Sequence, residues 1–334
     1  MNILIVRLGA LGDIVHAVPA AAAIRGAFPD ARIDWLVEAK HRGIVDLVTV
    51  VDGVVTLDAA TPGGWIDVVR RLRPVRYDVA LDFQGLMKSA VLARASGARR
   101  VAGFSLWHLR EKSARPFYSD VGVRLQADDH VIRKNLSLLT TLGIHTETIE
   151  FPLRHVPSPA LDQVAHEQGG RPFALINPGA AWPNKRGPPE RFGEMAAFLR
   201  EVRGLSSLVL WGPGEQAIAQ AVVDASSGAA RVAPPTTLAD LLALSRAASL
   251  MVSGDTAPLH IAAAVSTPVV ALFGPTDPLR NGPWSNQDEI VSRYAACGCH
   301  YRRRCHQRAW CLGDVSVAEV TAAIQQRFSG LPRS

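Results

Sequence analysis

The chain has little aromatic character, no long apolar run, and no cysteine outside one short segment. Phe, Trp and Tyr make up only 6% of its 334 residues. No recognised nucleic-acid module accompanies them, so nucleic acid is not expected as a partner. The longest apolar stretch, residues 259–273, is broken by Ser266, Thr267 and Pro268 and is too short to span a bilayer. The opening Met1-Asn2-Ile3-Leu4-Ile5-Val6-Arg7 has no basic region before its apolar residues and runs straight into a glycine loop. It reads as a buried strand, not a secretory signal. All four cysteines lie between 297 and 311, unlike a secreted disulfide framework. These absences lead to the expectation of a soluble, cytoplasmic protein.

What is present is ordinary globular composition, with 48% hydrophobic residues and a formal net charge of +6. The length suggests two domains. The charge favours anionic partners, phosphorylated small molecules or lipids ahead of others.

Short β-rich runs alternate with helical segments, the pattern of parallel sheets covered on both faces. Strands are predicted at 2–6, 32–37, 53–57, 79–82 and 100–103, with helices at 14–28, 65–72 and 86–96. Pro152, Pro157 and Pro159 then interrupt any continuous element and mark a linker. The alternation resumes with strands at 173–177, 207–211, 250–253 and 269–273 and helices at 189–202, 215–225, 238–246 and 257–264. The expected fold class is α/β, with two Rossmann-like doubly wound domains at 1–155 and 160–314. A final helix within 315–334 is free to pack back on the first domain. Ligand sites belong outside the carboxyl ends of the strands, facing each other across a cleft.

The first loop, Arg7-Leu8-Gly9-Ala10-Leu11-Gly12-Asp13, joins a strand to a helix. Its glycine spacing is not Gly-x-Gly-x-x-Gly, and no acidic residue closes the second strand in dinucleotide fashion, so a nicotinamide dehydrogenase is disfavoured. Asp13 has two open readings. One is a helix N-cap, for which Asp is well suited. The other is a carboxylate placed to take a proton from an acceptor hydroxyl. His16, one turn later, reads as a hydrogen-bonding wall residue.

Three loops of the second half suit a nucleotide diphosphate. In Asn177-Pro178-Gly179-Ala180-Ala181-Trp182-Pro183-Asn184-Lys185-Arg186, the glycine permits close backbone approach and the two cations supply charge for phosphate. In Trp211-Gly212-Pro213-Gly214-Glu215, the carboxylate can accept from ribose hydroxyls or favour a helix's first turn. In Ser253-Gly254-Asp255-Thr256-Ala257-Pro258-Leu259-His260, a strand becomes a helix, and amides with the Thr256 hydroxyl can hold a diphosphate. His260 by itself reads equally well as a satisfied structural histidine.

Taken together with Asp82-Phe83-Gln84-Gly85-Leu86-Met87-Lys88-Ser89 and with 274–277, these segments resemble glycosyltransferase family nine, the ADP-heptose:lipopolysaccharide heptosyltransferases, over nearly the whole chain. The resemblance implies a GT-B fold, an acceptor site mainly in the first domain and a nucleotide-sugar site in the second. It implies inversion at the anomeric carbon with no cofactor and no metal. By position, Asp13 would be the catalytic base. Lys185 would contact the donor phosphates and Glu215 the ribose, with Asp255, Thr256, Ala257 and His260 lining the donor pocket. Gly12, Lys88 and Arg133 would meet a phosphorylated, lipid-linked glycan acceptor at the cytoplasmic face of the inner membrane. Gly187 and Pro188 depart from the family's expected tryptophan and single proline, which leaves the donor sugar and base less defined than the reaction. The alternatives are a family-nine transferase with another nucleotide sugar or acceptor, a nucleotide-sugar epimerase of related fold, or a non-catalytic nucleotide-sugar binder.

The cysteines Cys297, Cys299, Cys305 and Cys311 are spaced C-x-C-x5-C-x5-C. The usual C-x2-C knuckle is absent, so a structural metal is the weaker reading beside free thiols or a disulfide. Arg99, Arg100, Arg110, Lys112 and Arg115 form a basic cluster suited to an anionic acceptor or membrane, and Arg302–Arg304 form a second.

Overall fold

Apolar runs of four or five residues, too short for helices, pair into two parallel sheets. The computed structural model describes residues 1–126, 129–306 and 310–329, and the chain divides into two units, Met1–Arg154 and His155–Ser334. The first unit holds β1 (Asn2–Val6), β2 (Arg32–Glu38), β3 (Gly53–Leu57), β4 (Val79–Asp82), β5 (Arg100–Gly103) and β6 (Asp120–Val121) in the order β3-β2-β1-β4-β5-β6. All neighbours run parallel. Ile3, Leu4, Ile5 and Val6 are wholly buried, as a central strand covered on both faces requires.

The second unit holds β7 (Phe173–Asn177), β8 (Ser206–Val209), β9 (Ala230–Val232), β10 (Leu250–Gly254), β11 (Val269–Phe273) and β12 (Glu289–Ser292), ordered β12-β11-β10-β7-β8-β9 and again parallel. Counted from its own first strand, this sheet has the winding of the first. Each sheet therefore reverses direction between its first and fourth strands, β1/β4 and β7/β10. Ligands of doubly wound sheets bind beyond the carboxyl ends at such reversals.

Three edge strands, β6, β9 and β12, are absent from the sequence reading, being short and only partly buried. The helix expected at 14–28 is two helices, Leu11–Val15 and Val18–Ala27. Pro19 lacks an amide hydrogen and fits only a first turn, so it starts a new helix. The prolines of the linker likewise start one: Pro159 opens Pro159–Gln168, with the Ser158 hydroxyl accepting from the Leu161 amide at 3.0 Å. The segment at 131–138, where no helix was expected, is the helix Val131–Leu138.

The terminal helix, Val317–Ser329, belongs to the second unit. Val320, Ala323 and Ile324 lie in the second unit's core with Leu312 and Val315. Buried Arg327 pairs with Asp288 at 2.9 Å. The apolar stripe at i, i+3 and i+4 is what commits it there. No helix among the described residues is long and apolar enough to cross a membrane.

Candidate active site

At the β1/β4 reversal, β1 runs on into Arg7, whose side chain is 10% exposed and pairs with Asp13 Oδ2 at 2.5 Å. Its other terminal nitrogen donates to the Phe83 carbonyl beyond β4, also at 2.5 Å. The Leu8 amide donates to Gln84 Oε1 at 2.7 Å. The two loops of the reversal are thus fastened together by one buried guanidinium and one amide side chain. Asp13 is not the N-cap. That position belongs to Ala10, and Asp13 sits three residues in, reaching back to the Ala10 amide at 3.4 Å. Gly12 lies in the same turn, its carbonyl accepting from the His16 amide at 3.0 Å. At Gly9 a β-carbon would stand 3.0 Å from the His41 ring, so the loop passes close beside it.

Asp82 ends β4 fully buried and accepts from the Gln84 and Gly85 amides, the Ser89 hydroxyl at 2.8 Å and the Tyr118 hydroxyl at 2.7 Å. Burial raises its pKa against the pull of these four donors. It shapes the Gln84-Gly85 turn and is a structural carboxylate. Lys88 opens the helix Met87–Ala95 and pairs with Glu38 Oε1 at 2.6 Å, while Lys40 holds Oε2 at 3.0 Å. Burial pushes the Glu38 carboxyl up, but the two ammonium groups outweigh it and hold it below its usual range. Glu38 closes β2, one residue beyond the predicted strand end, which corrects the expectation that no acidic residue stands there. Arg133 stands on the exposed side of Val131–Leu138. That helix is tied to the first loop: the Asn135 amide donates to the His16 carbonyl at 2.8 Å, and the His130 and His16 rings meet edge-on at 5.7 Å.

At the β7/β10 reversal the predicted residues converge. Lys185 donates to Asp255 Oδ2 at 2.5 Å and to the Asp255 carbonyl at 3.2 Å. His260 Nε2 meets Asp255 Oδ1 at 3.1 Å, and the Thr276 hydroxyl donates to Oδ2 at 2.6 Å. Burial opposes ionisation of Asp255, yet His260 and Lys185 overcome it and drive its pKa far below the usual range. Asn177 at the end of β7 donates to the Thr256 hydroxyl at 2.9 Å and to Ser253 at 3.0 Å. Thr256 caps the eight-residue helix Ala257–Ala264, with Ala257 first in its opening turn. Thr276, Asn177 and Ser253 were not singled out in the sequence. The first follows β11 in the 274–277 segment, which was the available signal.

Glu215 lies just after β8 and accepts from the Gly212 amide at 3.1 Å and from Arg186 at 3.4 Å. A β-carbon at Gly179 would overlap the Glu215 carboxylate as it stands, so a larger residue there would displace it. Arg186 in turn donates to the Ala180 carbonyl at 2.7 Å. Lys185 and Arg186, adjacent in sequence, thus serve different anchors.

Residues 65–310 match the family model for glycosyltransferase family 9 (heptosyltransferase). The chain belongs to glycosyltransferase family 9. It is a glycosyltransferase. It is 28% identical over 318 residues to lipopolysaccharide heptosyltransferase 1 of Pseudomonas aeruginosa, covering 91% of this chain and 87% of that one. It is 27% identical over 290 residues to lipopolysaccharide heptosyltransferase 3 of Escherichia coli, covering 82% and 84%. The solved E. coli heptosyltransferase WaaC with ADP superposes with a TM-score of 0.79 at 22% identity, over 98% of this chain and 100% of that one. That likeness establishes the GT-B fold.

Two features of this family-9 chain stand apart from the loops above. Among the cysteines, Cys297, Cys299 and Cys311 are buried and none is in a disulfide. Cys299 Sγ lies 3.3 Å from Cys305 Sγ, and Cys297 pairs with Cys311, whose thiol burial pushes up to about 12. Among the described residues, no three His, Cys, Asp or Glu side chains are grouped to hold a metal ion. The four cysteine side chains pack together in one cluster. The basic cluster is partly structural: Arg100 pairs with Asp120 at 3.0 Å, Arg99 with Asp78 at 3.6 Å, and Arg115 donates to the Tyr118 carbonyl. Arg110 and Lys112 are exposed.

Proposed function

We propose that this glycosyltransferase moves a heptose from ADP-heptose to a phosphorylated, lipid-linked inner-core lipopolysaccharide acceptor, inverting the anomeric carbon without a metal. The second unit binds the donor and the first the acceptor. The reaction takes place in the cytoplasm, at the inner face of the membrane. The observation that carries the reading is the arrangement about Asp255. Its carboxylate and its backbone carbonyl each take one of the three Lys185 ammonium protons, leaving the third to meet a diphosphate oxygen. Thr256 and the amides opening Ala257–Ala264 supply further donors, so charge developing on the departing ADP meets groups already in place. Glu215 accepts from the ribose hydroxyls, and His260 holds Asp255 from the side opposite Lys185.

Asp13 acts as general base. It removes the proton of the acceptor hydroxyl as that oxygen attacks the sugar C1 from the face opposite the diphosphate. Arg7 holds the Asp13 carboxylate in one orientation. Lys88 and Arg133 neutralise acceptor phosphates, and Gly12 keeps the loop open to the acceptor chain.

The test is a titration of the purified protein with ADP, UDP, GDP and CDP with and without chelator, followed by turnover on truncated lipopolysaccharide. Selective ADP binding that survives the chelator, with transfer lost in Asp13→Asn, is expected. Preference for UDP or GDP would replace the donor while keeping the reaction class. The departure at Gly187-Pro188 motivates that second reading, because Gly187 packs where a β-carbon would meet the Phe192 ring at 3.0 Å.

A further inference from the structure

Most exposed large apolar side chains of the chain are scattered, but four fall on two adjoining segments of the first unit. Trp107 is 72% exposed and Leu106 47%, and Val121 and Val123 also face solvent. The segments are fastened to each other. The Leu125 amide donates to His108 Nε2 at 2.9 Å, and the Arg124 guanidinium lies over the Trp107 ring at 4.1 Å. An indole and a leucine side by side in water gain nothing for the fold, since large apolar groups stabilise a domain only when buried.

The charges around this apolar tip are mixed, but its unengaged exposed side chains are basic. Arg110, Lys112 and Arg124 are exposed. The acidic neighbours are engaged: Glu111 accepts from the Met87 amide at 2.7 Å, Asp120 pairs with Arg100, and Asp129 accepts from the Gln126 amide at 2.9 Å. An amphipathic indole beside a leucine, ringed by Arg and Lys, matches the headgroup level of a negatively charged bilayer. We propose that residues 106–107 and 121–124, with Arg110 and Lys112, form a docking surface for anionic phospholipid. This rests on the reading that the acceptor is lipid-linked, and it assigns the part of the chain that meets the lipid.

The surface is coupled to the proposed acceptor residues within the same unit. Lys134 donates to the His108 carbonyl at 2.6 Å, next to Trp107. Lys134 lies on Val131–Leu138, the helix that carries Arg133 and whose capping residue His130 touches His16. His16 follows Asp13 by one turn. Seating Trp107 at the headgroups would bring the bilayer surface to the helix that faces the acceptor.

The experiment uses the full chain and its Leu106→Ser/Trp107→Ser double variant. Each is sedimented with vesicles of phosphatidylcholine alone and of phosphatidylcholine mixed with phosphatidylglycerol. The parent is expected to bind only the mixed vesicles, less at high salt, with its tryptophan emission quenched by acyl-chain-brominated lipid. The variant should bind about tenfold less and lose that quenching. Its ADP affinity and its turnover on a deacylated acceptor should match the parent's. Equal binding to both vesicles, or undiminished binding by the variant, would overturn the proposal. So would turnover on the deacylated acceptor falling in the variant, which would make the patch a sugar site. A parent oligomer that dissociates in the variant would make it an interface between copies. If the parent bound no ADP and transferred no sugar, the transferase reading would fail while the vesicle result stood by itself.

Discussion

Lys185 and Asp255 meet at 2.5 Å with side chains only 14% and 6% exposed, so the ammonium proposed to meet a phosphate is held by a carboxylate that water scarcely reaches. Removing one partner strands the other charge. Asp255→Asn is expected to destabilise the protein by about 3–5 kcal/mol, as breaking a buried pair does, and to weaken ADP binding. Urea unfolding with a parallel ADP titration checks this. A loss below about 1 kcal/mol would place the pair in the class of solvated surface bridges.

The same carboxylate sets an acid limb of stability. Its folded pKa lies below the ordinary value of 3.8. Its contribution is therefore complete above that value and is lost as pH falls from there towards the folded pKa, because the unfolded chain takes up the proton first. Unfolding free energy measured from pH 6 downward should steepen below about 4 in the parent and much less in Asp255→Asn. Parallel curves would mean that other carboxylates dominate.

Asp13→Asn keeps the size of the side chain and the reach-back to Ala10 but removes the base. Turnover is expected to fall by about 10²–10⁴-fold, with ADP affinity within about twofold of the parent. Arg7→Lys should give a smaller loss, because an ammonium can still pair with Asp13 but cannot also fork to the Phe83 carbonyl. A drop confined to ADP affinity in either variant would move Asp13 from the chemistry to donor binding.

Glu215→Gln is expected to raise the dissociation constant for ADP by about tenfold, the weight of one charge-assisted hydrogen bond, while leaving kcat at saturating donor nearly unchanged. ADP and 2′-deoxy-ADP should bind the variant more nearly alike than they bind the parent. If the variant kept the parent's preference, the carboxylate would serve only the Gly212 turn.

Cys311 should resist alkylation in the folded protein at neutral pH. Its thiol is raised to about 12 by burial and by Cys297, and the thiolate is the reacting form. Mass spectrometry after iodoacetamide treatment at pH 8, with and without denaturant, should show Cys311 modified only when unfolded. Rapid labelling of the native chain would show that the segment opens readily.

The strands with mostly apolar runs were legible: β1, β3, β4, β5, β7 and β11 fall at the expected residues, the edge strand β3 among them. The other edge strands were not, since Asp120-Val121 and Glu289–Ser292 carry charge and half-face solvent, which erases the pattern. At the site, residue type and a strand-to-helix junction marked Asp13, Lys185 and Asp255. Pairings between distant segments left no local trace. Nothing near Glu38 announces Lys88, fifty residues on, and nothing at Asp82 announces Tyr118. The terminal helix shows the same limit, because an amphipathic stripe specifies that a helix is buried but not by which elements.

The repeated winding of the two sheets makes the chain modular. Each unit carries its loops at the reversal of its own sheet and closes its own core, and the division falls between Arg154 and His155. On the proposed assignment of donor to the second unit and acceptor to the first, a hybrid joined there, with the second unit taken from a relative that uses a different nucleotide sugar, would inherit a new donor while retaining Asp13, Arg7 and the Trp107 loop. Donor choice and acceptor choice can then diverge separately, each by change within one half of the gene.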